Sequence, residues 1–140
     1  LTSLKGLENL VDLRELYIDG QANLTDVEPL AGLTKLTKLS LPYRDYSVNE
    51  PPALDLSGLS GLTKLQDLRV NSSVASLEPL RGLTDLRYLQ INADWQNPVE
   101  SLEPLSGLEK LSSLYVYPLR KGADQSPVAH VKDLNIQETD

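Results

Sequence analysis

No cysteine occurs in the 140 residues. Disulfide staples, zinc–thiolate centres and thiol nucleophiles are therefore excluded, and the redox state of the compartment leaves no mark on the chain. Phenylalanine and methionine are also missing. A core must then be built almost wholly from Leu, Val and Ile. With one histidine, His130, and no cysteine, few ways remain to activate a nucleophile. That histidine is better suited to capping a neighbour or facing solvent than to holding a metal. No serine stands in a nucleophile-elbow pattern and no phosphate-binding loop is present. No apolar run is long enough to span a bilayer. Positive charge is scarce: 13 basic residues face 20 acidic ones, a net charge of -7, which argues against a nucleic acid or an anionic membrane as partner. The acidic residues Asp45, Glu50, Asp94 and Glu100 fall between apolar segments but match no spaced calcium-ligand motif. These absences lead to the expectation of a non-catalytic chain without metal or cofactor.

What is present is leucine at a spacing of three. In the stretch SLEPLRGLTDLRYLQI, Ser76 to Ile91, apolar residues fall at Leu77, Leu80, Leu83, Leu86 and Leu89, and the spacing then drops to two at Ile91. On an α-helix three residues turn about 300°, so four such steps smear the apolar residues over most of the surface. A strand needs a period of two. The pattern therefore predicts short 3₁₀-like or irregular segments feeding a very short strand. The frame recurs at Leu4 to Ile18, Val27 to Leu41, Leu56 to Val70 and Leu102 to Val116, and in truncated form at Val128, Val131, Leu134 and Ile136. Copies restart after roughly 20 to 29 residues, the range of repeat solenoids.

The segments LRELYI, LTKLSL, LQDLRV, LRYLQI, LSSLYV and VKDLNI resemble the strand segments of leucine-rich repeats. The intervening VEPLAGLTKL, LEPLRGLTDL and LEPLSGLEKL are similar to the convex side of short, internalin-like bacterial repeats. The resemblance implies an α/β-type repeat solenoid, a leucine-rich-repeat arc of about six coils with short parallel β-strands on the concave face and 3₁₀ or irregular segments on the convex face. It covers 1–140 as a single domain. The first coil lacks a preceding strand and Leu1 is no initiator Met, so the chain is expected to be a piece of a longer protein. One departure stands out. The family places an Asn three residues after the second inward strand residue, and here those positions hold Gln21, Arg44, Ser73, Asp94 and Leu119. Regular turns after the strands are therefore in doubt.

Finer expectations follow. Gly32, Gly61, Gly82 and Gly107 precede a framework Leu and should occupy a tight spot or a positive φ. Ser57-Gly58 replaces Glu-Pro and should loosen its turn. DGQAN after the first strand and PYRDYSVNEPPA after the second read as loops, the latter not as an added strand.

All seven aromatic residues lie on outward strand positions (Tyr17, Tyr88, Tyr115, Tyr117) or in the segments leaving the strands (Tyr43, Tyr46, Trp95). With Arg69 and Gln90 they form the candidate protein-binding set, because Tyr and Trp dominate interfaces. Tyr is also a good strand former, so the strand tyrosines fit a purely stabilising role as well. Arg44, Arg69 and Arg87 are placed to form a small basic spot, with Glu15, Asp19, Asp67 and Asp133 around it. Outward positions of the third strand are read as Asp67, Arg69 and Asn71. The favoured function is protein recognition. Its competing settings are the ligand-sensing part of a regulatory NTPase, in the cytoplasm, and a cell-surface adhesin. A structural spacer beside an enzyme domain is the alternative from another class.

Overall fold

The threefold leucine spacing is the trace of a hydrogen-bond pattern. In the computed structural model, which describes residues 2–45 and 52–140, the framework N–H groups donate to the carbonyl of the framework residue three before. Leu80 bonds Leu77 at 2.9 Å, Leu83 bonds Leu80 at 3.0 Å and Leu86 bonds Leu83 at 3.1 Å. The same succession runs through 27–36, 56–65 and 102–111. A bond spanning three residues is the 3₁₀ rule, and it stacks side chains at i and i+3 on one edge. The leucines thus all point into the coil.

Where the spacing drops to two, the backbone extends. Among the described residues the strands are β1 (Glu15–Tyr17), β2 (Gln21–Ala22), β3 (Lys38–Ser40), β4 (Tyr43–Arg44), β5 (Asp67–Val70), β6 (Tyr88–Asn92), β7 (Ser113–Leu119) and β8 (Asp133–Glu138). One parallel sheet has the order β1–β3–β5–β6–β7–β8, and β2 pairs with β4 beside it. Its register places Leu16, Leu39, Leu68, Leu89, Leu114 and Leu134 in one row. The 3₁₀ segments Glu28–Leu30, Ser57–Leu59, Glu78–Leu80, Glu103–Leu105 and Ser126–Val128 precede β3, β5, β6, β7 and β8 in turn.

Each of these segments starts from the same device. The first N–H is accepted two residues back by Asp26 (3.0 Å), Asp55 (2.9 Å), Ser76 (3.0 Å), Ser101 (3.2 Å) and Asp124 (2.9 Å). An Asp or Ser oxygen there satisfies an otherwise orphaned donor, as an N-cap does. The Glu-Pro pairs supply proline's fixed φ and an acidic residue in the first turn.

The four inner coils keep every framework Leu, Val and Ile at 3% exposure or less. In the first coil Leu10 is 46% exposed, and in the last Leu134 is 39% exposed. The difference is one of cover, since a coil buries its leucines only against a neighbour.

Several local expectations are corrected. Gly32, Gly61, Gly82 and Gly107 have neither a positive φ nor any atom within 4 Å of an added Cβ. The tight approach lies instead at Gly58, where a Cβ would meet the Val27 carbonyl oxygen at 2.8 Å. Its turn is not loosened: Ser57–Leu59 is a 3₁₀ segment like the others, held also by the Ser57 hydroxyl donating to Asp55 at 2.6 Å. Residues read as loop form β2 and β4, because extended chain leaving one coil finds the next coil's backbone beside it. The Tyr43 N–H donates to Gly20 at 2.9 Å, Leu54 to Ser73 at 2.8 Å and Val99 to Pro118 at 2.9 Å. For the same reason β7 continues past Tyr117 to Leu119. Residues 46–51 of the long insertion lie outside the described residues.

Candidate functional site

Strand alternation turns every second residue away from the leucine core onto the open face of the sheet. Two rows result. One reads Glu15, Lys38, Asp67, Tyr88, Ser113, Asp133, and the next reads Tyr17, Ser40, Arg69, Gln90, Tyr115, Asn135. The aromatic members gather toward β6 and β7.

Tyr117 is the centre of one cluster. Its ring stacks on Tyr115, with centroids 6.5 Å apart and 20° between planes. Trp95, in the segment leaving β6, meets Tyr117 edge-on at 5.1 Å and 78°, and its Nε1 donates to the Tyr117 hydroxyl at 2.9 Å. Both ends of this aromatic chain are polar-tipped, and contacts of this geometry add to simple burial. Beside it the Arg69 guanidinium lies 4.9 Å from the Tyr88 ring centroid. Asp67 accepts from Arg69 Nε at 3.3 Å, and that hydrogen bond outweighs partial burial and holds the guanidinium pKa above its ordinary value.

The tyrosines are not covered by the rim segments. Tyr17 is 56%, Tyr43 54% and Trp95 43% exposed, while Tyr88, Tyr115 and Tyr117 are half-buried against one another and their neighbours. Tyr17 stands on β1, two strands from Arg69, and Tyr43 on β4, outside the main sheet. Tyr46 lies outside the described residues. Tyr88 and Tyr115 lie diagonally on adjacent strands and line one shallow hollow of about 420 Å³ with Ser113, Asp133, Leu134 and Asn135. Gln90 is engaged at both ends: its Oε1 accepts from the Tyr88 hydroxyl and its Nε2 donates to Asn71 Oδ1, each at 3.1 Å. Asn71, expected on the open face, is buried, because its Nδ2 donates to the Leu41 carbonyl at 2.9 Å.

The basic spot does not form. Arg44 is 4% exposed and pairs with Asp94 two coils on. The two stand at positions where the family's asparagine is missing, and Ser73 between them is the third. Its hydroxyl donates toward Asp94 Oδ2 at 3.0 Å, lies 3.1 Å from the Asn97 carbonyl, and accepts from the Asp94 N–H at 3.1 Å. A buried polar network therefore occupies the place of an asparagine ladder and ties three coils together. Burial raises the Asp94 pKa, but hydrogen bonds from Asn97 and Ser73 and the Arg44 charge outweigh it and hold the carboxyl below its ordinary value. The sequence reading marks these positions as departures, with Arg44 in a basic spot and Asp94 among acids that match no calcium motif, and does not join them. Their opposite charges at matching places in the repeat were the signal available.

Other polar residues are structural. His130 Nε2 lies 2.8 Å from the Leu108 carbonyl and caps the neighbouring coil. Coil-to-coil ion pairs join Lys35 to Asp12, Lys110 to Asp85 and Arg120 to Glu100. Among the described residues no three His, Cys, Asp or Glu side chains converge to hold a metal ion. No helix among them is long and apolar enough to cross a membrane.

No family model matches the chain, and no curated protein matches it either. Solved structures do resemble it. Internalin C2 of Listeria monocytogenes is 28% identical with a TM-score of 0.59, over 100% of this chain and 70% of that one. An internalin of the same organism, inlF, is 24% identical with a TM-score of 0.54, over 99% of this chain and 44% of that one, a likeness of fold alone.

Proposed function

Because this chain is a leucine-rich-repeat solenoid of the internalin-like kind, we propose that it is a non-catalytic protein-recognition module. It uses the concave sheet face together with the segments that leave the strands. The observation that carries the reading is the connected aromatic cluster Tyr115–Tyr117–Trp95, partly open to solvent beside Tyr88 and Arg69. Tyr and Trp present large rigid area with few rotors, so ordering them on binding costs little, and truncating such anchors has large effects. Tyr17 and Tyr43 extend the surface toward the first coils, and Tyr46 belongs to the candidate set by sequence. Among the described residues the open face pairs no hydroxyl with a histidine or carboxylate base, in keeping with a non-catalytic reading.

Capture of binding proteins by the immobilised chain tests the reading, with the double variant Trp95→Ser/Tyr115→Ser as control. A saturable partner whose affinity falls at least about tenfold in the variant is expected. A partner bound equally by both forms would move recognition away from this surface. No saturable partner at all would favour a structural spacer.

A further inference from the structure

The hollow on the open sheet face owes its shape to one small residue. Across β6, β7 and β8 the first outward row reads Tyr88, Ser113, Asp133. Ser113 leaves a low floor between a phenol ring and a carboxylate that stand two strand spacings, about 9–10 Å, apart. Tyr115, Lys132, Leu134 and Asn135 also line it. Asp133 is exposed, and among the described residues no ion pair includes it. The neighbouring acid in the row, Asp67, is by contrast matched to Arg69.

Tyr88 already holds one guanidinium. Arg69 covers it from the β5 side, whereas the hollow opens toward β7 and β8. We infer that the hollow receives a basic side chain of a protein partner, an arginine in first place, set among the Tyr88 and Tyr115 rings and the Asp133 carboxylate. The inference rests on the protein-recognition reading and names the chemistry of what is recognised. An aromatic face attracts a cation. A carboxylate takes a guanidinium through paired, charge-assisted hydrogen bonds. The methylene stem of the entering residue lies against the Tyr115 ring. The chain's net charge of -7 draws a basic segment toward it. Lys132 lines the same hollow and opposes a cation, so its removal strengthens the site.

The test titrates the full chain with a blocked peptide of one arginine between glycines, and with the same peptide carrying uncharged citrulline. Amide chemical shifts are followed by NMR. The arginine peptide should shift the Tyr88, Ser113 and Asp133 amides saturably, with a Kd of about 1–10 mM. Citrulline should bind at least about threefold more weakly, and raising the salt should weaken the arginine peptide alone. Asp133→Asn, at an exposed position that leaves the core untouched, should weaken it about threefold or more, and Lys132→Ala should tighten it. Equal binding of citrulline, no saturable shift, or an unchanged Asp133→Asn variant would overturn the inference. The titration needs no natural partner, so its failure leaves the recognition reading standing, and a failed capture experiment leaves the chemistry of the hollow standing.

Discussion

On the 3₁₀ side of the coils each 3₁₀ segment starts from an Asp or Ser cap, and framework N–H groups donate to the carbonyl three residues back. Where the strands exit, no two coils use the same residues: a buried Arg44–Ser73–Asp94 network spans three of them, and an aromatic cluster follows. The first region repeats because each coil buries its leucines against an equal neighbour, so one solution serves all. The second is released from that constraint. Its backbone is satisfied partly by coil-to-coil bonds and partly by local side chains such as Asn71, Ser73 and Asp94, so the side chains can differ from coil to coil. A buried ion pair is weak evidence for stability, since desolvation offsets attraction. Here it anchors Asp94, the residue before Trp95, to a coil two repeats back.

The contrast can be broken most strongly in the core. Leu83→Ala, at a fully buried position, should lower unfolding free energy by about 2–5 kcal/mol in urea, while Leu10→Ala, 46% exposed, should cost a small fraction of that. Equal losses would mean that the coils do not shield one another. Gly58→Ala comes next. Its Cβ would meet the Val27 carbonyl oxygen at 2.8 Å, so a loss of about 1–3 kcal/mol is expected. Gly61→Ala, with nothing within 4 Å, should be neutral or stabilise by about 0.4–1 kcal/mol through the unfolded chain.

A substitution at the rim sharpens the contrast. Asp94→Asn keeps the shape but removes the charge that faces the buried Arg44 guanidinium, a loss of about 1.5–3 kcal/mol. The carboxyl sits below its ordinary pKa in the folded chain, so its contribution is complete above the ordinary aspartate range, near about pH 4. It is lost as pH falls through the lowered folded value, where the unfolded chain already holds the proton. Emission of Trp95, the one tryptophan, should report an acid step in the wild type that Asp94→Asn lacks. A step unchanged by the substitution would detach Trp95 from the network.

Much of the fold was legible in the chain. The step from spacing three to spacing two located the strands within a residue or two, because a 3₁₀ bond and a pleated strand have different periods. The cap residues were equally visible, in D-V-E-P, D-L-S-G and S-L-E-P, although only the Glu-Pro part was read. The added strands β2 and β4 were not legible, since two-residue pairing with a neighbouring coil has no local pattern. Outward Tyr positions followed from alternation, but the meeting of Trp95 with Tyr117 across 22 residues did not.

By itself, then, the sequence determined the coil: which residues face inward, where the backbone bends and where it extends. Those are consequences of local periodicity, and every repeat states them again. Tertiary structure alone decided that Arg44 is buried rather than part of a basic surface, that Gly58 rather than Gly61 touches its neighbour, and that Ser113 lies low between Tyr88 and Asp133. Each depends on the register of one coil on the next, a relation between residues 20 or more apart that no short window of sequence contains.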